Sequence, residues 1–428
     1  MNGYPEFARL SADLRTLVFD LIRNPAVQRL GGISQLGFST FRQQTRLQHT
    51  IESIEIAGRL LEKASSTTPN VRKHLVAAIA LEDVGRAPFS NSLDRAFDGL
   101  PDLSRGRNPI DIQRSIVVLE YLERTERLLS RQGLSCATVC DLLERKLPWR
   151  ATPWINAVLN GPTDVDRLQY VSGDIAFADG TPYNVDNIAR GVVLDSGADN
   201  NVTVIDDSAV LPLIDFLMQR TRLYLEIYYE PVKLALECVV SSFLRKLWNF
   251  ADSANEEWSA LREPRSVEKF LMWTDATVVG AFEGNRWDCA PEELKNSRHL
   301  IRDGKFQVAE LRKRGATAVD LNEIDRMLGD IRGLLAQREH CWVLDGKELP
   351  TMRPYYPETI VVQHRKTYRS LETVPEFRAN SVLLDNRRRC PLVVFPVTDF
   401  PTIQSLIHDV GLVFTTILPV DQIGRFAI

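Results

Sequence analysis

The stretch that decides the fold is ALEDVGRAPFSNSLD, residues 80–94. It closes a run that opens at Thr68-Pro69, a capping residue followed by proline at the first helical position. Leu75, Val76, Ala77, Ala78, Ile79, Ala80 and Leu81 make the run apolar nearly all round, which predicts a buried, central helix over 70–84, ended by Gly85. Glu82 and Asp83 then sit side by side at the C-terminal end of that helix, where its dipole disfavours negative charge. A buried carboxylate needs a metal ion, a cation or strong hydrogen bonds, and two together need more. Either a metal ion or Arg86 supplies the compensation, and the residues leave both open.

Outward from this stretch, residues 46–63 place Leu47, Ile51, Ile54 and Leu61 on one stripe of an amphipathic helix. That helix carries Arg46 and His49 in TRLQHT (45–50). Further along, DVDRLQYVSGD (164–174) lies in a predicted helix over 163–177, with Asp166, Tyr170 and Asp174 at four-residue steps along one face. One imidazole, His49, and three carboxylates, Glu82, Asp83 and Asp166, thus come from three helices. They make an oxygen-rich donor set of the kind an octahedral divalent ion takes.

The order His…(His)Asp…Asp resembles the HD superfamily, and the surrounding words are more specific. QRLGGISQLG (28–37), TRLQHT, ALEDVGRAPFSNSLD and DVDRLQYVSGD, in this order, are similar to the dGTPase and sterile-alpha-motif/HD group of deoxynucleoside triphosphate triphosphohydrolases. PLIDFLMQRTRLYLEIYYEP (212–231) resembles a later helix of the same group, so the likeness runs from about residue 20 to 250. It implies metal ligation by His49 and Asp83, closed by Asp166, with Glu82 standing where the family has its second histidine. It also implies nucleotide contacts by Gln35, Arg46, Arg167, Tyr170 and Asp174, and by Arg220 and Tyr228 on the later helix.

The departures fall on the histidines. Glu82 replaces the doublet's histidine, Arg86 the one after glycine, Asn91 the one ending P-F-S-H, and Asp111 in DIQRS the one used in proton transfer. Asp94, which the family uses to orient that last histidine, is retained. A carboxylate in place of an imidazole hardens the site, so Mg²⁺ or Mn²⁺ is expected over softer ions. The resemblance then implies metal-dependent hydrolysis of a deoxynucleoside triphosphate to deoxynucleoside and triphosphate. Asp111, Asp94 and Arg86 are its catalytic candidates. The alternative is that Arg86 pairs with Glu82 and Asp83 and fills the metal's place, leaving a catalytically silent nucleotide sensor that acts through oligomerisation or a partner.

Composition bounds the rest. The 428 residues carry a net charge of −4, with 44% hydrophobic and 25% charged residues. This is ordinary globular usage without the basic footprint of a nucleic-acid binder. The six cysteines show no zinc or disulfide spacing, no signal pattern opens the chain, and no apolar run is long enough to span a membrane. A cytoplasmic protein is expected, and the resemblance adds a homo-oligomer. The predicted fold class is mainly α: an HD-domain helical core over 1–250, a helical extension over 251–338, and a small α/β region over 339–428. Within these, helices are expected at 110–132, 136–146, 207–249 with a bend near Pro231, and roughly 255–338. A hairpin is expected at Val192–Leu194 and Val202–Ile205, and strands at 359–363, 381–384 and 392–397.

Overall fold

A computed structural model describes Phe7 and residues 10–38, 44–62, 68–90, Ser92, 109–144, Ile155, 158–159, 161–181, 183–193, 203–251, 266–283, 292–313, 321–335, Arg338, 340–344, 360–364, 367–378, 392–410 and 412–420. Helices begin where the sequence supplies caps. α1 (Ala12–Ile22) is capped by Ser11 and is followed by the short α2 (Pro25–Gln28) under Asn24. The Thr45 hydroxyl accepts from the Gln48 amide at 3.2 Å and opens α3 (Arg46–Leu61). The Thr68 hydroxyl does the same for α4 (Pro69–Leu81), with Pro69 in its first turn. The α geometry of α4 stops at Leu81, and Glu82–Gly85 tighten into a 3₁₀ turn. Both acidic residues therefore leave the helix end and turn toward α3.

Next come α5 (Pro109–Glu126), α6 (Cys136–Glu144) and α7 (Val165–Asp179). α7 is capped by Asp164 and stopped by Gly180, whose φ of 68° is the left-handed conformation glycine adopts freely. After α8 (Asp186–Gly191) and β1 (Thr203–Asp206), α9 (Val210–Leu223) runs into a π turn at Tyr224–Tyr228, and α10 (Pro231–Ala251) restarts at the proline expected to bend the run. α11 (Val267–Leu271), α12 (Asp275–Glu283) and α13 (Glu292–Arg302) lead to β2 (Phe306–Lys313). α14 (Leu321–Leu335), β3 (Trp342–Leu344), β4 (Ile360–His364), β5 (Thr367–Ser370), β6 (Leu392–Pro396), α15 (Phe400–Asp409) and β7 (Leu412–Val420) complete the chain.

The fold is mainly α with a small α/β region. Two sheets punctuate it. In the first, β1 pairs in parallel with β4, which pairs antiparallel with β5. In the second, all antiparallel, the order is β3-β6-β2-β7. Phe306, Val308, Leu392 and Val394 turn one face of the second sheet into the larger apolar core, while Ala309, Leu311, Val393 and Phe395 pack the other face under α14 and α15.

Two expectations change here. The run 255–338 is not helical throughout, because β2 occupies its middle. Both faces of that strand are buried, so its apolar residues do not alternate with polar ones as a half-exposed strand's would, and the period-2 signal is weak. The hairpin reduces to an isolated bridge between Val192 and Ile205, since β1 makes its ladder with β4. Residues 381–384 lie outside the described residues.

Candidate functional site

α3, the Glu82–Gly85 turn and α7 meet at a narrow cleft lined by His49, Glu82, Asp83 and Asp166, with Thr50, Ser53, Ile79, Val158, Leu159 and Val165. His49 Nε2 lies 3.0 Å from Asp166 Oδ1 and 4.0 Å from Asp83 Oδ2. The four side chains that the sequence drew from three helices thus face one space.

The charge at its centre is already balanced by arginine. Asp83 accepts from Arg86 Nε on Oδ1 at 2.9 Å and from Arg46 Nη1 on Oδ2 at 3.1 Å. Arg86 spans to Asp111, with Nη1 2.5 Å from Oδ2, and Asp111 is 1% exposed. Burial works against the Asp83 carboxylate, but the charges of Arg46 and Arg86, then His49, outweigh it and hold its pKa well below the carboxyl range.

His49 is engaged on both ring nitrogens: Nδ1 faces Gln169 Oε1 and Nε2 faces Asp166. Burial disfavours its charged form, yet the hydrogen bond and charge of Asp166, with Asp83, push its pKa up. The ring thus faces an oxygen on each side.

The set does not fit a divalent ion as it stands. Each oxygen of Asp83 faces a guanidinium, the histidine faces acceptors on both sides, and two arginine charges border the place where an ion would sit. Among the described residues, no group of three or more His, Cys, Asp or Glu is arranged to hold a metal.

The expected nucleotide contacts form a second, adjoining layer. Arg220 Nε donates to Tyr170 Oη at 2.9 Å, and Tyr228 Oη donates to Asp174 Oδ2 at 2.5 Å. Burial raises the Asp174 carboxyl to about 6, against the Tyr228 hydrogen bond and the charges of His49 and Arg46. Arg167 is tied to Asp164 at the start of α7 and donates to Gly161 O at 3.1 Å. Gln35 receives Arg46 Nη2 on its backbone oxygen at 3.4 Å. Among the described residues, Gln35 Oε1, Arg220 Nη1 and Ser53 Oγ are buried atoms without a hydrogen-bond partner. Asp94 and Asn91 lie outside the described residues.

Sequence reasoning missed several supporting groups. Gln169 holds His49 and also donates to Glu52 and Gln44, at 2.6 and 3.1 Å. Its spacing three residues after Asp166 on the same helix was the available signal. Asp164 caps α7, and an Asp just before the apolar-periodic run was legible as a cap. Arg29, Ser90 and Asp275, described below, carried no local signal.

The chain is 25% identical over 312 residues to the uncharacterized protein YwfO of Bacillus subtilis (strain 168), spanning 69% of this chain and 68% of that protein. Its structure is similar to that of a phosphohydrolase from Bacteroides thetaiotaomicron VPI-5482, with a TM-score of 0.64 at 18% identity, over 88% of this chain and 95% of that one. It is also similar to a hypothetical protein from Aquifex aeolicus, with a TM-score of 0.66 at 17% identity, over 91% and 95% of the two chains. No family model matches the sequence. At these identities the likeness is one of fold: the chain has the fold of a protein named a phosphohydrolase.

Proposed function

We propose that this chain is an HD-type nucleotide sensor, whose cleft binds a deoxynucleoside triphosphate and in which Arg86 stands where the family's metal would. The observation that carries the reading is the Arg86 fork, 2.9 Å from Asp83 and 2.5 Å from Asp111. A resident cation at that position neutralises the carboxylates without an ion and leaves no activated water. Binding is supported by the orphaned atoms of Gln35 and Arg220, because buried polar atoms without partners are rare in native structures and call for an explanation. Both belong to residues that the resemblance assigns to the nucleotide. Arginine's planar fork suits phosphate oxygens, and the pool of the ligand is read through its effect on stability or assembly. A homo-oligomer whose size responds to nucleotide belongs to the same proposal.

The test is thermal-shift titration of the protein with each dNTP and their mixture, with and without Mn²⁺, alongside metal analysis and chromatography of the products. The expected result is stabilisation by dNTP without added metal, about 2.7 kcal/mol at a hundredfold excess over Kd, with no deoxynucleoside released. Gln35→Ala and Arg220→Ala should weaken the shift. No shift with any nucleotide at about millimolar concentration, far above the Kd of a functional site, overturns the nucleotide reading.

A second reading, metal-dependent hydrolysis of dNTPs, is supported by the convergence of His49, Glu82, Asp83 and Asp166 on one cleft and by the fold shared with a phosphohydrolase. It needs Arg86 to leave Asp83. Release of deoxynucleoside in Mg²⁺ or Mn²⁺, abolished by Asp83→Ala, would establish it and displace the sensor.

A further inference from the structure

Residues Met272–Asp275 form the corner between α11 and α12, far in sequence from the cleft. Asp275 is 8% exposed and spends each carboxylate oxygen on a different backbone amide. Oδ2 accepts from Ser34 N at 2.8 Å and Oδ1 from Phe89 N at 2.6 Å. Beside it, Arg29 donates from Nε to Trp273 O at 2.8 Å and from Nη2 to Arg86 O at 2.9 Å. The corner and the turn after α2 approach closely: a Cβ on Gly32 would stand 2.8 Å from Thr274 Cγ2.

What the carboxylate holds is a strained turn. Phe89 and Ser90 have φ of 54° and 50°, left-handed values that are costly for a phenylalanine and persist only when the surroundings impose them. The conformation is used. Ser90 Oγ accepts from Arg46 Nε at 2.9 Å and donates to Ser34 O at 2.5 Å, so the turn that Asp275 clamps is the turn that aims Arg46 at Asp83. Arg29, in the same corner, fixes the backbone of Arg86.

We propose that Asp275 is a positioning residue for the nucleotide cleft, holding the Ser34 and Phe89–Ser90 turns so that Arg46 points into the site, with Arg29 doing the same for Arg86. The proposal rests on the nucleotide reading for its consequence, but its geometry is testable without any nucleotide. Asp275→Asn keeps the shape and offers one acceptor where two amides need one each, and its NH₂ then opposes the other N–H.

In nucleotide-free protein, hydrogen exchange followed by mass spectrometry should rise in residues 33–36 and 84–90 of Asp275→Asn while α7 keeps its protection. Unchanged exchange in those turns overturns the proposal, whether or not nucleotide binds. If Asp275→Asn fails to fold, Arg29→Lys takes its place. Lysine cannot reach both carbonyls, so exchange should rise at 84–86 with the charge preserved, and unchanged exchange there counts equally against the proposal.

Where wild type binds a dNTP, Asp275→Asn should weaken it about tenfold, the size of one lost charge-assisted hydrogen bond. Ser90→Ala should do the same. The double variant should be no weaker than the worse single, since both act through Arg46. Additive losses would mean that Asp275 does not act through Ser90. If wild type binds no dNTP, it is the nucleotide reading that has failed, and the exchange result still decides the positioning role.

Discussion

Asp174 shows how much of this site's behaviour is set by one buried group. Its carboxyl is raised to about 6 by burial, so the folded chain holds that proton more tightly than the unfolded chain does. Folding then becomes less favourable as pH climbs from about 4 to about 6, because above that range the folded state must keep a buried charge that the unfolded state solvates freely. The displacement corresponds to about 3 kcal/mol, present as stability at low pH and lost once Asp174 ionises. Asp174→Asn cannot ionise yet still accepts from Tyr228. In urea denaturation the variant should therefore gain on wild type between pH 4.5 and 7.5. A difference that does not change with pH would show that Asp174 titrates as an ordinary surface carboxyl.

At the scale of elements, the site depends on how closely α5 meets the Glu82–Gly85 turn. A Cβ on Gly85 would lie 2.2 Å from Ser115 N, 2.5 Å from Asp111 O and 2.7 Å from Arg114 C, all backbone atoms that cannot swing aside. The contact is stitched by Ser115 Oγ, which accepts from Gly85 N at 3.0 Å and donates to Glu82 O at 2.6 Å, and by Arg114 Nε, which donates to Gly85 O at 2.8 Å. This approach delivers Asp111 to Arg86. Gly85→Ala should force α5 outward and cost about 1–3 kcal/mol, the usual penalty of overpacking. The Asp111–Arg86 contact should loosen with it, and calorimetry with a crystal structure of the variant would measure both. A variant of wild-type stability would mean that the turn and α5 are not in backbone contact.

At the scale of the whole molecule, the parts are joined through one apolar core. Its buried members include Phe7 and Val394, and the β1–β4 ladder ties residues 203–206 to 360–363. The division into 1–250, 251–338 and 339–428 stands as a proposal about folding units, and this shared core bears on it. Scanning calorimetry should show one dominant transition. The second sheet's outer layer, packed by α14 and α15, is the piece best placed to melt separately. A distinct early endotherm, removed by deleting residues after 339, would support an independent C-terminal unit instead.

The sequence alone determined where several helices start and which of them are buried. Thr45, Thr68-Pro69 and Gly180 act within a turn of themselves, and the apolar run 75–81 buries its helix wherever it packs. The sequence also set the order of motifs that brings His49, Glu82, Asp83 and Asp166 to one cleft. It left open which cation answers Asp83, because a metal and Arg86 both satisfy a buried carboxylate. Which side chains reach Asp83 was decided by the tertiary structure, where Arg46 and Arg86 face it. Arg86 reaches Asp111 because Gly85 admits α5, and Arg46 is aimed by a turn that Asp275 clamps from 186 positions away. The same holds for β2, whose two apolar faces meet partners from opposite sides. Local periodicity records which surfaces are buried, while the partner across each surface is fixed by packing between elements distant in the chain.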